Sequence, residues 1–309
     1  MKLISIITPC YNEEDNIENL YKKVKQVFSE MPGYAYEHIF IDNDSKDSSS
    51  GILKKIAAAD KNVKVILNIK NFGHIRSPYY AFLQSKGDAA AMLACDFQDP
   101  PELLKEFISK WEAGNKIVIG VKKQSRENPV MFAIRKLYYN IMERLSETEQ
   151  IKNFTGFGLY DKKFVDILRS LDEPYPYFRG LVSELGFAVT TVEYVQPKRE
   201  KGKTKNNLYV LYDMAMLGIV SYSKIPLRMS AFVGFILGFV SLSVAIAYFV
   251  YKIIYWKNFQ VGMAPIVIGL FFFSAVQLFF IGIIGEYIGT IFTHVKKKPL
   301  VVEKERINF

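Results

Sequence analysis

Two stretches of this chain, residues 229–251 and 258–285, contain no charged side chain. Each is longer than the roughly 20 residues an α-helix needs to cross the hydrocarbon core of a bilayer. Inside that core every backbone N–H and C=O must be satisfied by the protein itself, which permits only helices and closed barrels. The two runs therefore predict a pair of membrane helices over residues 229–251 and 261–288; a buried helix pair in a globular core is the alternative. Lys252 and Lys257 flank the connection between them. Lys224 and Arg228 precede the first run, and Lys296, Lys297 and Lys298 follow the second. Lys and Arg accumulate in cytoplasmic loops. The expectation is a multi-pass protein of the cytoplasmic (inner) membrane, with its N-terminal part and its C-terminus both cytoplasmic.

The 40 Lys and Arg outnumber the 31 Asp and Glu, for a net charge of +9. The surplus gathers beside the spans, where it suits anionic lipid, so no nucleic-acid partner is expected. No signal peptide is expected either, because Met1 runs straight into the strand-like residues 3–8. Cys10 and Cys95 are too few for a disulfide framework, as in a reducing compartment. Gly234, Gly238, Gly282, Gly285 and Gly289 permit close helix packing, and a homo-oligomer is expected.

Residues 3–7 read as a first strand, followed by a helix with Ile17, Leu20, Val24 and Val27 on one face. Further strands are expected at 38–41, 63–67, 89–94 and 117–121. Helices are expected at 52–58, around 79–84 and at 103–111. Strands alternating with helices imply an α/β, mostly parallel, doubly wound sheet with right-handed crossovers. Four polar clusters fall at the carboxyl ends of strands: residues 8–14, 42–47, 71–74 and 95–102. Ligands of open α/β sheets bind at the carboxyl ends of the strands, so these clusters converge on a nucleotide site. There is no Gly-rich phosphate loop, which disfavours ATPases and dehydrogenases.

The sharpest cluster is Ala94-Cys95-Asp96-Phe97-Gln98-Asp99-Pro100-Pro101-Glu102. If the backbone stays extended, Asp96 and Gln98 share a face. A hard cation such as Mg²⁺ needs only one or two protein oxygens when phosphates supply the rest. The plainer possibility is that Asp96 and Asp99 only cap a turn. No zinc-like spacing connects His38, His74 and His294, and His38 is expected as a paired residue inside its strand.

Taken together, residues 9–14, 42–47, 71–73 and 96–102 resemble the family 2 glycosyltransferases of the GT-A (Rossmann-like) fold. More narrowly, the chain resembles the polyprenyl-phosphate glycosyltransferases, namely the bactoprenol glucosyltransferases and dolichyl-phosphate mannose synthases. The resemblance covers nearly the whole chain. It implies a GT-A domain over 1–205, a juxtamembrane amphipathic segment over 206–228, the two spans, and a basic cytoplasmic tail over 289–309. It assigns nucleotide binding to Pro9, Tyr11, Glu13, Asp42 and Asn71. Asp96 and Gln98 are the expected ligands of Mg²⁺ or Mn²⁺, with Asp96, Arg199 and Lys205 central to catalysis. The basic residues expected to hold an acceptor phosphate are Arg126, Arg135, Arg179, Arg199 and Lys205; Lys122 and Lys123 stand nearby.

The implied reaction is inverting transfer of a sugar from a UDP-linked donor to polyprenyl (undecaprenyl) phosphate. A GDP-mannose donor or a non-catalytic nucleotide-sugar-binding scaffold is the alternative. Three departures bear on this. Ala94 stands where many members have a further Asp, Asn43-Asp44 replaces an Asp-Gly pair, and Gly156 and Gly158 replace the family's candidate base and a neighbouring Arg. A phosphate ester whose second ionisation lies near pH 6 is already anionic at neutral pH and needs no strong base.

Overall fold

The apolar runs of the N-terminal half become adjacent strands because each buries both of its faces, as parallel strands in α/β proteins do. The computed structural model describes residues 1–124, 151–197, 215–221, 223–255, 263–296 and 298–309. In chain order the elements are β1 (Lys2–Cys10), α1 (Glu14–Ser29), β2 (Tyr34–Asp42), α2 (Ser49–Ala59), β3 (Val63–Asn68), α3 (Gly73–Leu83) and β4 (Ala89–Met92). A short 3₁₀ turn at Pro101–Leu103 leads into α4 (Leu104–Glu112), β5 (Ile117–Gln124), β6 (Phe154–Asp161), α5 (Lys162–Ser170), α6 (Phe178–Glu184) and β7 (Val189–Val195). Two long helices, α7 (Ile225–Ile254) and α8 (Met263–Val295), and a last strand, β8 (Glu303–Ile307), complete the described chain.

The eight strands form one sheet in the order β7-β5-β6-β4-β1-β2-β3-β8. The pairs β1–β2, β1–β4, β2–β3 and β5–β7 are parallel, whereas β6 runs antiparallel to both β4 and β5. Side chains alternate across the pleat. Ile4, Ile6, Phe40 and Val65 accordingly face α1, α2 and α4 on one side, while Ile7, Ile39, Ile41 and Ile66 face α3, α5 and α6 on the other. On α1 the apolar stripe is Ile17, Leu20, Val24 and Val27, all buried. At about 1.5–3 kcal/mol per buried aliphatic side chain, this stripe contributes roughly 6–12 kcal/mol before ordering costs. Glu14 and Asp15 in its first turn complement the positive end of the helix.

Both α7 and α8 are long and apolar enough to cross a membrane, and their side chains are mostly exposed. At about 1.5 Å per residue each is longer than a hydrocarbon core of roughly 30 Å. Pro226 sits in the first turn of α7, where its missing N–H costs nothing. The base of the hairpin is tied to itself and to the sheet domain. Tyr287 donates to the carbonyl of Ser223 at 2.6 Å. His294 Nε2 meets Glu173 Oε1 at 2.8 Å, and its Nδ1 faces the Thr290 carbonyl at 2.8 Å.

Within the segment expected as a basic tail, Glu303–Ile307 forms a strand that pairs antiparallel with β3, Ile307 opposite Val65 and Arg306 opposite Ile66. Its charges are consistent with an edge position. Glu305 pairs with Lys54, and Glu303 accepts from Arg306 and from Tyr80 of α3. Charged side chains on an edge strand also discourage pairing with other chains.

Candidate active site

Three strand-end loops crowd together at the carboxyl edge of the sheet, and each contains one non-glycine residue in the left-handed region: Asn12 (φ 52°), Asp44 (φ 65°) and Phe97 (φ 58°). Such residues cost free energy and persist where their surroundings fix them. The fixing contacts are side chain to backbone. The Ser45 hydroxyl accepts from Asn12 N–H at 2.8 Å and donates to Asp42 Oδ1, while Asn12 Oδ1 accepts from Lys46 N–H at 2.7 Å. Ser49 Oγ accepts from Glu13 N–H at 3.0 Å. Asp42 is buried, and burial raises its pKa despite the Ser45 bonds.

Asn43 takes the Asp position of the family's Asp-Gly pair, and it has a structural task. Its Oδ1 accepts from Phe72 N–H at 2.8 Å, and its Nδ2 donates to Asn71 Oδ1 at 2.8 Å. Asn71 Oδ1 also accepts from Gly73 N–H at 2.8 Å, which sets up the start of α3. Gly73 has φ +87°, and this starts the helix well before the residues around Tyr79 where periodicity placed it. Asn71 is therefore built into the turn between β3 and α3.

Asp96 and Gln98 line one cleft, but not for the reason expected. β4 ends at Met92, and residues 95–99 form a tight turn. Asp96 Oδ1 accepts from Gln98 N–H at 3.2 Å, an Asx turn closed over left-handed Phe97. The turn reading of Asp96 and its presence in the cleft thus hold together. The cleft is about 410 Å³. Its lining also includes Pro9, Ala94, Asp99, Lys122, Thr155, Gly156, Tyr177 and Arg179. Arg179 lies over the Tyr177 ring at 5.6 Å and donates to the Phe154 carbonyl at 3.4 Å. Of the expected site residues, Pro9, Asp96, Gln98 and Arg179 meet here. Tyr11, Glu13, Asp42 and Asn71 occupy the adjoining loops. Arg126, Arg135, Arg199 and Lys205 lie outside the described residues, as does the segment around Leu208 and Tyr212.

Among the described residues no group of three or more His, Cys, Asp or Glu could hold a metal alone. One carboxylate and one amide oxygen on a fixed turn suit Mg²⁺ or Mn²⁺ when diphosphate oxygens complete the shell. The donor set fits that group.

The two glycines of β6 differ sharply. A Cβ on Gly156 (φ +103°) would meet only Phe178 at 3.8 Å. A Cβ on Gly158 would sit 2.7 Å from the Val118 carbonyl and 3.0 Å from Ile119 Cα. The backbone at 158 therefore excludes any side chain, so this chain cannot present an arginine there. Sequence reasoning missed His74, Tyr79, Thr155 and Gln196 in the cleft; the polar run after β3 pointed toward the first of these. A second cavity, about 450 Å³, lies between the segment around Tyr175 and α8, where Gly282, Gly285, Glu286 and Gly289 line it.

The comparisons with known proteins agree with this geometry. The model of glycosyl transferase family 2 matches residues 5–166. An uncharacterized glycosyltransferase of Bacillus subtilis (strain 168), YkcC, is 32% identical over 96% of this chain and 92% of its own length. The SfII prophage-derived bactoprenol glucosyl transferase of Shigella flexneri is 30% identical over 98% of this chain and 97% of its own length. Among solved structures, a mycobacterial protein superposes with a TM-score of 0.50 at 17% identity, covering 71% of this chain and 73% of that one, a likeness of fold. With the family model spanning more than half of the chain and relatives matched nearly end to end, the chain belongs to glycosyl transferase family 2 and is a glycosyltransferase of GT-A-like fold.

Proposed function

We propose that this glycosyltransferase transfers a sugar, with inversion, from a UDP-linked donor to polyprenyl phosphate at the cytoplasmic face of the membrane. The observation that carries the reading is a single cleft lined by Asp96 and Gln98 together with Lys122 and Arg179. Pro9, Tyr11, Glu13 and Asp42 hold the nucleotide in this scheme, Asp42 as a buried acceptor for a ribose or base donor, and Asn71 shapes the neighbouring turn. Asp96 and Gln98 hold a divalent cation against the diphosphate, and that cation offsets the charge developing on the departing nucleotide. Lys122 and Arg179 face the acceptor phosphate, joined by the basic residues 126, 135, 199 and 205.

The near-full-length likeness to a bactoprenol glucosyl transferase supports a lipid acceptor. So does the location of the second cavity: Tyr175 lines it and Tyr177 lines the cleft, so a prenyl chain lying along the glycines of α8 would lead its phosphate toward Arg179. Gly156 and Gly158 supply no base, and an acceptor already ionised near neutral pH requires none. Rate then comes from positioning and from stabilising the leaving group.

Membranes containing the protein, given a panel of radiolabelled nucleotide sugars and undecaprenyl phosphate, should form a labelled lipid from a UDP-sugar, dependent on Mg²⁺ or Mn²⁺. A product from GDP-mannose alone would replace the donor. UDP binding without any labelled lipid would leave only a nucleotide-sugar-binding role.

A further inference from the structure

Resting on the donor-site reading above, we infer that Asp99 and Tyr194 form a positioning pair that ties the Asp96/Gln98 turn to the β5–β7 strand pair. Asp99 is buried, 8% exposed, yet it belongs to the same turn as Asp96 and Gln98. Tyr194 donates its hydroxyl to Asp99 Oδ1 at 2.7 Å. The Asp99 carboxylate thus ties the 95–99 turn to another strand.

Tyr194 is a fixed anchor for this bond. It lies one residue from the end of β7, opposite Lys122 of β5. Its ring stands edge-on to Phe157 at 5.6 Å, and Phe157 packs on Phe107 of α4 at 4.9 Å. The two rings close over Gly120, where an added Cβ would lie 2.8 Å from Phe157 and 3.0 Å from Tyr194. No other residue type fits at 120 without displacing them. Two residues beyond Tyr194, Gln196 lines the cleft. One hydrogen bond therefore connects the turn that carries Asp96 and Gln98 with the strand pair that carries Lys122 and Gln196. Burial raises the pKa of both Asp99 and Tyr194, and the tyrosine stays a hydroxyl donor at working pH.

The pair touches neither donor nor acceptor in this account; it acts through Asp96 and Gln98. Removing the Tyr194 hydroxyl frees the turn to sample other geometries and weakens the metal–diphosphate site before it affects the fold. The test uses the full chain in detergent and reads Mn²⁺ binding in the presence of UDP by electron paramagnetic resonance, without turnover. Tyr194→Phe should weaken Mn²⁺ binding about five- to tenfold, because only part of the roughly ten- to hundredfold worth of one hydrogen bond to a charged group reaches the metal site through the turn. Asp99→Ala should weaken it at least as much, and the double variant no further than Asp99→Ala alone. Phe107→Leu is the control for general loosening of the same cluster: it should lower the melting temperature comparably yet leave Mn²⁺ binding within twofold. Unchanged binding in Tyr194→Phe, or equal weakening in Phe107→Leu, would overturn the inference while leaving the donor site standing. Failure of the unaltered protein to bind Mn²⁺ with UDP would overturn the donor-site reading and this inference with it.

Discussion

Acid should loosen the sheet directly beneath the nucleotide loop, through His38. This residue is fully buried in β2, its Nε2 2.9 Å from the Thr8 hydroxyl on β1 and its ring 3.9 Å from that of Phe40. Its Nδ1 has no hydrogen-bond partner among the described residues. Burial pushes its pKa down to about 3, against about 6.5 in an unfolded chain. The folded state therefore keeps the ring neutral while the unfolded state takes up a proton below pH 6.5. The stabilisation is complete above that pH and is lost as pH falls toward 3. At up to about 1.36 kcal/mol per pH unit, the loss between pH 7 and pH 5 is about 2 kcal/mol. For a sheet domain of roughly 200 residues that corresponds to a drop in melting temperature of roughly 4–8 °C. Intrinsic-fluorescence melts of the full chain in detergent at the two pH values would measure it. His38→Gln, which can still bond Thr8 but does not titrate, should lack this component. Asp42 and Asp99, whose raised pKa values pull the other way, are common to both proteins and cancel in the comparison. Equal pH dependence of the two proteins would refute the reasoning.

Asp96→Asn should abolish labelled-lipid formation and divalent dependence with little change in melting temperature, since the side chain lines a cleft and not the core; near-normal activity would reduce Asp96 to a turn residue. Arg179→Ala should weaken the acceptor about ten- to a hundredfold, the worth of one charge-assisted contact of roughly 1.5–3 kcal/mol. Collapse of donor affinity instead, in a UDP-sugar binding assay, would reverse that assignment. Gly156→Asp has room for its side chain but an unfavourable φ of +103°, so it should cost about 1–3 kcal/mol of stability without raising turnover; a tenfold gain would show that a base had been missing. Replacing residues 225–295 by a flexible linker should preserve nucleotide binding and turnover of a short, water-soluble prenyl phosphate. It should lose most activity on the bilayer-embedded lipid, because each CH₂ drawn from the bilayer costs about 0.8 kcal/mol; equal activity on that lipid would assign the hairpin another purpose.

The strands that carry the site were legible because an apolar run that turns polar at its end has few other interpretations. Ile6-Ile7 before Pro9, and Ile39-Phe40-Ile41 before Asp42, show it plainly. The Asp96 turn was located correctly but misjudged in shape, since left-handed Phe97 is not a conformation that composition announces. Tyr194 gave no signal: an aromatic residue in a strand reads as core, and its hydroxyl partner lies 95 residues away in sequence. β8 was illegible for a different reason. An edge strand made of Glu303, Lys304, Glu305 and Arg306 satisfies its charges at the surface and lacks the alternation by which strands are recognised.

That last strand also constrains how the molecule is assembled. Synthesis delivers β1 to β7 first, then the hairpin, and only then the residues that complete the sheet by pairing with β3. If α7 and α8 both cross a bilayer, as proposed above, β8 can reach β3 only after an even number of crossings. A single missed insertion would then strand it on the far side and leave the edge of β3 bare. On that reading the finished sheet is a parity check on its own membrane insertion.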